Sequence, residues 1–504
     1  MKTILDIIYD RATHEPERIL FISHNTPIPY GTFVTMIDRV AQNMLSYEIG
    51  KDDIVSVSIS DPLEYIYCYF AVCRIGAIVN PINIHLKKGD LSTLLNTVQP
   101  AFIVTDEEKT ALIQEIYEPK AYSNEYCIRY QLIKSQNDPG NNLQLKMPLY
   151  NQIMGCYLSS GSTGTPKCIY LTYEALTTAA GLSAEQFGFT RQDVIISALP
   201  LTHLYGGNTI LAAGIWSGAA MIFEDSFQYH SLLTKMKDYK TTVFAGVPTM
   251  FEYMNKHAKF TGADYDLSSL RIAISAGAVL SQLTASEFHQ YYGIPVINHY
   301  GLTEAAGFIS ANDPSFADNA NCVGIPSARF HVKIVNERNE EVGVHEAGEL
   351  LIKADHIQPT RKNPEDGIVD RWFDNGFLRT GDIVKRGAKG ELYVVGRVKD
   401  IILTGGYAVN PLEVEEYILG LNCVAECVVF PASDELMGEV PFAAVVLESD
   451  DNFCITEISE HCVQGLASYK CPQQIICLSE LPRTSTGKVM RQELIRQYGQ
   501  LQVR

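Results

Sequence analysis

The segment Tyr157 to Lys167, YLSSGSTGTPK, gathers residue types suited to holding phosphate, with seven of its eleven positions Gly, Ser or Thr. Such a stretch lets the backbone curl around a ligand while hydroxyls and amide N–H groups point inward, a concavity that suits phosphate oxygens. Gly164 is followed by Thr165, Pro166 and Lys167, so the spacing departs from the Walker loop. A flexible linker would not end in Pro-Lys directly before the strand-like Cys168 to Leu171. A second segment, HYGLTEAAG from His299 to Gly307, offers a different set of groups. Tyr300 presents a flat π-face for a purine, Gly301 lets the chain turn beside it, and Thr303 supplies a hydroxyl. Glu304 supplies a hard carboxylate oxygen suited to Mg²⁺ bridging phosphates, although alone it would also serve as a helix cap. In SAGA, Ser275 to Ala278, small side chains around Gly277 let the main chain approach a ligand edge.

These segments need a scaffold, and the pattern around them supplies one. Short β-branched and aromatic runs at Ile54 to Ile59, Ala101 to Val104, Val194 to Ala198, Thr242 to Ala245 and Leu270 to Ile274 alternate with helical patterns. The helical patterns cover Tyr30 to Ser46, Pro62 to Ile75, Tyr173 to Phe187 and Gln282 to Tyr292. Strands separated by helices predict parallel α/β layers. NDPGNN, Asn137 to Asn142, reads as a surface loop. After about Gly324 the pattern becomes hairpin-like, with turn signals at Asn336 to Asn339 and Gly387 to Gly390, which predicts a smaller β-rich subdomain. The last hundred residues mix strands at Val424 to Phe430, Phe442 to Leu447 and Gln474 to Leu478 with helical runs, an α+β unit of its own.

Composition narrows the function classes. The chain has 504 residues, 58 acidic against 40 basic, for a net charge of −18. That balance argues against broad nucleic-acid or membrane-surface binding, which needs a basic field, but leaves room for a local anion site. The N-terminus reads as no secretion signal, because Asp6 and Asp10 interrupt its apolar stretch. Ile210 to Phe223, the longest nearly apolar stretch, is too short to span a bilayer and reads as buried core. The twelve cysteines form no C-x2-C pair, which predicts reduced, mostly buried thiols in a cytoplasmic protein.

The phosphate-type segment resembles the signature of the adenylate-forming superfamily, which includes acyl-CoA synthetases, amino-acid adenylation domains and luciferases. Further segments match that family in order: LPLTHLYG (Leu199 to Gly206), HYGLTEAAG, RTGD (Arg379 to Asp382) with GRVKDIILTGGYAVNPLEVE (Gly396 to Glu415), and LPRTSTGKVMR (Leu481 to Arg491). The resemblance implies an N-terminal AMP-binding domain over 1–396 that takes ATP and the acyl substrate, and a mobile C-terminal lid over 397–504 hinged near Lys399. It also implies that Ser160, Gly161, Ser162, Thr163, Gly164 and Lys167 hold phosphates, that Tyr300 stacks on adenine beside Gly301 and Gly277, and that Thr303 contacts the α-phosphate. Glu304 would hold the metal, and Asp382 and Arg397 would bind the ribose hydroxyls. Lys488, otherwise an unremarkable loop lysine, becomes the main catalytic side chain, neutralising charge between carboxylate and α-phosphate. In-line displacement at phosphorus rests on positioning and electrostatics, so no catalytic triad is expected.

In this family the lid rotates after adenylation, with Lys399 at the hinge and Gly405 and Gly406 lining the thiol's path. The acyl pocket falls on His203, Gly207, Val247, Ala305 and Gly307. No carboxylate lies between Leu199 and Tyr205 to pair with an ammonium, so a free α-amino acid is disfavoured. One departure stands out: Cys168-Ile169 follows Pro166-Lys167, where the family usually has Gly and an aliphatic residue. The chain ends thirteen residues after Arg491, so the thiol is expected in trans. The expected reaction is that of an ATP- and Mg²⁺-dependent acid–thiol ligase with coenzyme A as acceptor, as a monomer or homodimer. The alternatives are a stand-alone enzyme that loads the phosphopantetheine of a separate carrier protein, and a non-catalytic nucleotide-binding homologue.

Overall fold

The computed structural model describes residues 2–118, 126–135, 146–159, 167–262, 265–313, 321–357, 373–421, 423–434, 436–448, 453–483 and 489–500. The chain divides into two compact units, Met1–His331 with Lys353–Gly376, and Val332–Ile352 with Phe377–Arg504.

The first unit has the parallel α/β layers that the alternating pattern predicts. One sheet runs in the order Cys127–Arg129, Phe102–Thr105, Ile54–Ser58, Ile78–Pro81, Ile153–Ser159, Lys167–Thr172. Its strands are parallel except the last, which returns antiparallel, with Tyr157 opposite Ile169 and Ser159 opposite Lys167. The strand Ile54–Ser58 is buried throughout, as an apolar run without alternation requires of a sheet covered on both faces. Helix Pro62–Arg74 follows it, with the Asp61 carboxylate accepting from the Glu64 N–H and Pro62 in the first turn, both good starting signals.

In a second sheet the parallel neighbours are Val194–Ser197, Val243–Gly246, Ile272–Ser275 and Val296–Tyr300. Ser310–Ala311 pairs antiparallel with the last of these. Ala220–Phe223 and Ile19–Ser23 extend the other side in parallel. The stretch Ile210 to Phe223 expected to be buried core is mostly buried, with Trp216 exposed, and its first residues are the end of a π-helix, Tyr205–Ala212. The helical expectations hold closely: Tyr30–Leu45, Pro62–Arg74, Tyr173–Gln186 and Gln282–Tyr292. The Asn137 to Asn142 turn cluster lies outside the described residues.

The second unit carries the hairpins read from the turn signals. Phe377–Arg386 pairs antiparallel with Leu392–Arg397 and with Ala347–Lys353. Farther on, Val424–Asp434 and Gly438–Leu447 form a long antiparallel pair, joined by Gln474–Cys477 and the short hairpin Ile402–Thr404 with Tyr407–Val409. Helices Pro411–Leu419 and Phe453–Gly465 belong to the same unit. The guanidinium of Arg491 ties this unit together, donating to Asp400 Oδ2 and to Glu415 Oε1, each at 2.7 Å. Glu415 also accepts the Val429 N–H at 2.8 Å, and burial raises its carboxyl above the ordinary value against the pull of Arg491.

One expectation is corrected: Cys423 is disulfide-bonded and not a reduced thiol. Spacing along the chain does not encode which segments the fold brings side by side, and that neighbourhood is what a disulfide requires. Cys68, Cys73, Cys127, Cys156, Cys168, Cys322, Cys427, Cys462, Cys471 and Cys477 are free cysteines, and of these Cys68, Cys73, Cys156, Cys322, Cys427 and Cys462 are buried. Among the described residues no helix is long and apolar enough to cross a membrane.

Two buried histidines in the first unit set a pH dependence. Burial lowers His299 from 6.5 to about 4 despite two nearby carbonyls. Burial, with Arg329 assisting, lowers His356 to about 4 as well. The unfolded chain therefore takes up protons near pH 6.5 that the native chain refuses, so stability is full above that pH and falls as pH drops toward 4. The unfolding temperature should fall across this window. His356 Nε2 is buried without a partner and its ring stands edge-on to Phe330 at 5.5 Å, so His356→Phe should make the pH slope shallower. An unchanged slope would count against the assignment.

Candidate active site

Four neighbouring parallel strands end at one edge of the second sheet, and the loops that leave them carry the predicted residues. His203 follows Val194–Ser197, Val247 follows Val243–Gly246, Gly277 follows Ile272–Ser275, and Tyr300 closes Val296–Tyr300. The carboxyl edge of an open parallel sheet is where α/β proteins bind ligands, because the diverging loops leave a crevice there. Val247 and Gly277 meet within it: a Cβ on Gly277 would lie 3.6 Å from Val247 Cγ1.

Thr303 and Glu304 sit on the short 3₁₀ turn Thr303–Ala305 and are half-buried. The turn is closed by main-chain bonds from Ala306 N to Thr303 O at 3.0 Å and from Gly307 N to Leu302 O at 2.9 Å. Ala306 adopts φ +56°, a left-handed conformation that a residue with a Cβ holds only where its surroundings enforce it. Gly301 faces the carbonyl of Gly307 so closely that a Cβ would stand 2.0 Å from its oxygen. Only glycine permits this approach.

The π-helix holds that turn from the other side. Asn208 Nδ2 donates to the Leu176 and Ala306 carbonyls at 3.1 and 2.9 Å, and Thr209 Oγ1 donates to the Gly307 carbonyl at 3.2 Å. The hydroxyl of the buried Tyr205 lies 3.1 Å from the Gly246 carbonyl and 3.0 Å from that of Ile274. Single π-turns inside helices recur at functional sites. Of the predicted pocket residues, Gly207 lies in the π-helix, Ala305 and Gly307 belong to the turn it bonds to, and Val247 directly follows Gly246, whose carbonyl accepts from Tyr205; His203 is exposed just before the π-helix, its Nδ1 accepting the Tyr205 N–H at 3.2 Å.

Lys167 opens the strand Lys167–Thr172 and is half-buried. Ser160, Gly161, Ser162, Thr163, Gly164 and Lys488 lie outside the described residues. In the second unit Asp382 and Arg397 form a pair of their own. They are directly opposite across two antiparallel strands, and the Arg397 Nε–H donates to Asp382 Oδ1 at 2.6 Å. Asp382 is buried while Arg397 is partly exposed. Lys399 is exposed in the 3₁₀ turn Val398–Asp400. Gly405 and Gly406 turn the following hairpin with φ +56° and +86°, the two left-handed positions of a tight turn that matches strand twist.

The model for AMP-binding enzymes matches residues 8–359, and that for the AMP-binding enzyme C-terminal domain matches 413–488. The chain belongs to the AMP-binding enzyme family. Its relatives include 2-succinylbenzoate–CoA ligase of Bacillus subtilis, 26% identical over 97% of this chain and 96% of the relative. Another is 4-coumarate–CoA ligase 3 of Arabidopsis thaliana, 25% identical over 92% of this chain and 85% of the relative. Among solved structures, o-succinylbenzoate coenzyme A synthetase from Bacillus subtilis in complex with ATP and magnesium superposes with a TM-score of 0.85 at 25% identity, covering 97% of this chain and 98% of that one.

For an AMP-binding enzyme the donor chemistry here fits a metal that arrives with its nucleotide. Among the described residues no group of three or more His, Cys, Asp or Glu is placed to hold a metal ion. Mg²⁺ keeps several waters and takes one or two carboxylates plus substrate phosphates, so Glu304 with the Thr303 hydroxyl beside it is a suitable partial donor set. Sequence reasoning passed over Tyr205, Asn208, Thr209 and His299, whose polar groups fix the site from beneath. The available signal was polar residues inside an otherwise apolar run, and a histidine directly before the purine-type tyrosine.

Proposed function

We propose that this AMP-binding enzyme activates a small carboxylic acid with ATP and transfers the acyl group to coenzyme A. The carboxylate oxygen attacks the α-phosphorus of ATP, pyrophosphate leaves, and an acyl-adenylate remains. The thiol sulfur then attacks the acyl carbon, its proton is lost, and AMP departs. The observation that carries this reading is the turn Thr303–Ala305 beside Tyr300 at the carboxyl edge of the parallel sheet, in a chain whose full-length relatives are CoA ligases.

Within that reading, Tyr300, Gly301 and Gly277 take the adenine, and Thr303 and Lys167 take phosphate oxygens with Ser160, Gly161, Ser162, Thr163 and Gly164. Glu304 holds Mg²⁺, whose charge offsets that of the phosphates when it is bound. Asp382 accepts from the ribose hydroxyls with Arg397 orienting it, an arrangement favoured by the carboxylate–guanidinium bond at 2.6 Å. His203, Gly207, Val247, Ala305 and Gly307 border the acyl group. The net charge of −18 gives anionic substrates no general attraction, so binding rests on these local groups. A cytoplasmic location and action as a monomer or homodimer complete the proposal; subcellular fractionation and light scattering test them.

A panel of carboxylic acids assayed by pyrophosphate release, with and without coenzyme A, tests the reaction. Acid-dependent release that yields AMP and a CoA thioester is expected. No acid-dependent pyrophosphate exchange across a broad panel would sink it.

We further assign residues 1–396 to ATP and acid binding and 397–504 to a lid that turns about Lys399. Lys399→Pro would fix φ at a residue that must change conformation. Pyrophosphate exchange should stay near the parent level while thioester formation from supplied acyl-adenylate drops roughly tenfold or more. An unchanged overall rate would contradict the hinge.

A further inference from the structure

His299 is 5% exposed, yet both its ring nitrogens face main-chain carbonyls: Nδ1 lies 3.1 Å from Ser310 O and Nε2 lies 3.1 Å from Gly307 O. Its ring stacks on Phe308 at 5.2 Å and 11° and meets Phe187 edge-on at 5.8 Å, with Tyr205 5.6 Å away. Aromatic contacts on several sides leave the imidazole little freedom to turn. A simple core position would be filled more cheaply by an apolar ring, since burying a polar one is unfavourable without good partners.

Its partners explain the choice. Ser310 and Gly307 stand on either side of Phe308 and Ile309, in the segment that returns from the Thr303–Glu304 turn to the strand paired with Val296–Tyr300. The Gly307 carbonyl is the meeting point of three constraints. It receives the Thr209 hydroxyl at 3.2 Å, it faces His299 Nε2 at 3.1 Å, and it closes on Gly301 so tightly that no side chain fits between. The neighbouring Ala306 carbonyl is held by Asn208 at 2.9 Å. The neutral imidazole carries a single N–H, and in the tautomer with that proton on Nε2 it donates to the Gly307 carbonyl, so the turn that carries Thr303 and Glu304 is anchored at its far end by the π-helix donors and by the residue before Tyr300.

We propose that His299, together with Thr209, is a positioning residue for acyl-adenylate formation: by holding the Gly307 carbonyl it fixes the turn that presents Thr303 and Glu304. It touches no substrate and acts through that turn. The inference rests on the proposed adenylation reaction and adds to it the residues that set its geometry. Displacement of catalytic groups by about 1 Å costs roughly 10²-fold in rate, so the effect belongs to the first half-reaction. Thiol attack on a finished adenylate needs neither the α-phosphate contact of Thr303 nor the metal held by Glu304 in the same way.

The test compares His299→Leu, His299→Gln, Thr209→Val and the His299→Leu/Thr209→Val double variant in both half-reactions. His299→Leu should lower acid-dependent pyrophosphate exchange by roughly 10–10²-fold, with thioester formation from supplied acyl-adenylate within about threefold of the parent. His299→Gln, whose amide N–H can reach one carbonyl, should recover most of the exchange. The double variant should lose clearly more or less than the product of its single losses, because both side chains act on one carbonyl. Equal losses in the two half-reactions, or strictly multiplicative losses in the double variant, overturn the proposal; if His299→Leu fails to fold, Thr209→Val still decides, since a loss in pyrophosphate exchange no larger than its loss in thioester formation overturns it. An unsubstituted enzyme without any acid-dependent exchange would instead remove the adenylation reading itself.

Discussion

Lys488→Ala is expected to lower acid-dependent pyrophosphate exchange by about 10²–10³-fold, the usual cost of removing one charged or hydrogen-bonding group aimed at developing charge. The attacking carboxylate and the α-phosphate are both anionic, and their approach is opposed until a cation stands between them. No side-chain nucleophile takes part, so electrostatics carries a large share of the barrier. Thioester formation from supplied acyl-adenylate should survive, since the repelling pair no longer exists once the phosphorus–oxygen bond has formed. Single-turnover measurement of the two half-reactions makes the comparison. Parallel loss of both would show that Lys488 maintains the lid's structure instead of the first chemical step.

Gly301→Ala should also be severe, for a different physical reason. Its new Cβ would stand 2.0 Å from the Gly307 oxygen and 2.6 Å from the Gly307 carbon, a separation that backbone cannot tolerate. The loop must open, and both the Tyr300 ring and the Thr303–Glu304 turn move with it. A loss of roughly 10²-fold in exchange is expected from misplacement on this scale, with a lowered unfolding temperature as the surrounding hydrogen bonds loosen. Gly293→Ala is the control for a crowding effect: Gly293 has a positive φ, +73°, but no atom lies within 4 Å of the added carbon. Its cost should be confined to about 1–3 kcal/mol of stability. Gly301→Ala with near-parental exchange would show that the close approach is dispensable.

The two glycine substitutions show where sequence reading stops. Gly301 is recognisable as a turning point beside a purine-type tyrosine, but the carbonyl it must clear belongs to Gly307, and that distance is a property of the folded loop. Tyr205, Asn208 and Thr209 read as part of an apolar segment because most of their neighbours are apolar. Their polar groups are satisfied by carbonyls far along the chain, at Gly246, Ala306 and Gly307, and no local pattern records such partners. Cys423 makes the same point, since its disulfide depends on spatial neighbours that cysteine spacing does not reveal.

Elements, by contrast, were legible where burial imposes a period. The helix Gln282–Tyr292 starts after Ser281, whose hydroxyl accepts the Thr284 N–H, and ends at Gly293 in a left-handed conformation, so local capping chemistry marks both ends. The fully buried strands Val243–Gly246 and Ile272–Ser275 appear as short apolar runs, displaced by a residue or two from their observed limits.

The sequence by itself determined the α/β class and the order of the strands and helices, and it contained groups whose chemistry suits phosphate, purine and metal. These follow from side-chain chemistry and from the periodicity that one-sided or two-sided burial imposes. Tertiary structure alone decided that His203, Val247, Gly277 and Tyr300 share one sheet edge, that Asp382 and Arg397 are cross-strand partners, and that His299 grips the turn beneath Thr303. Those facts depend on strand order and register, which are set by long-range backbone pairing between residues that are distant in the chain.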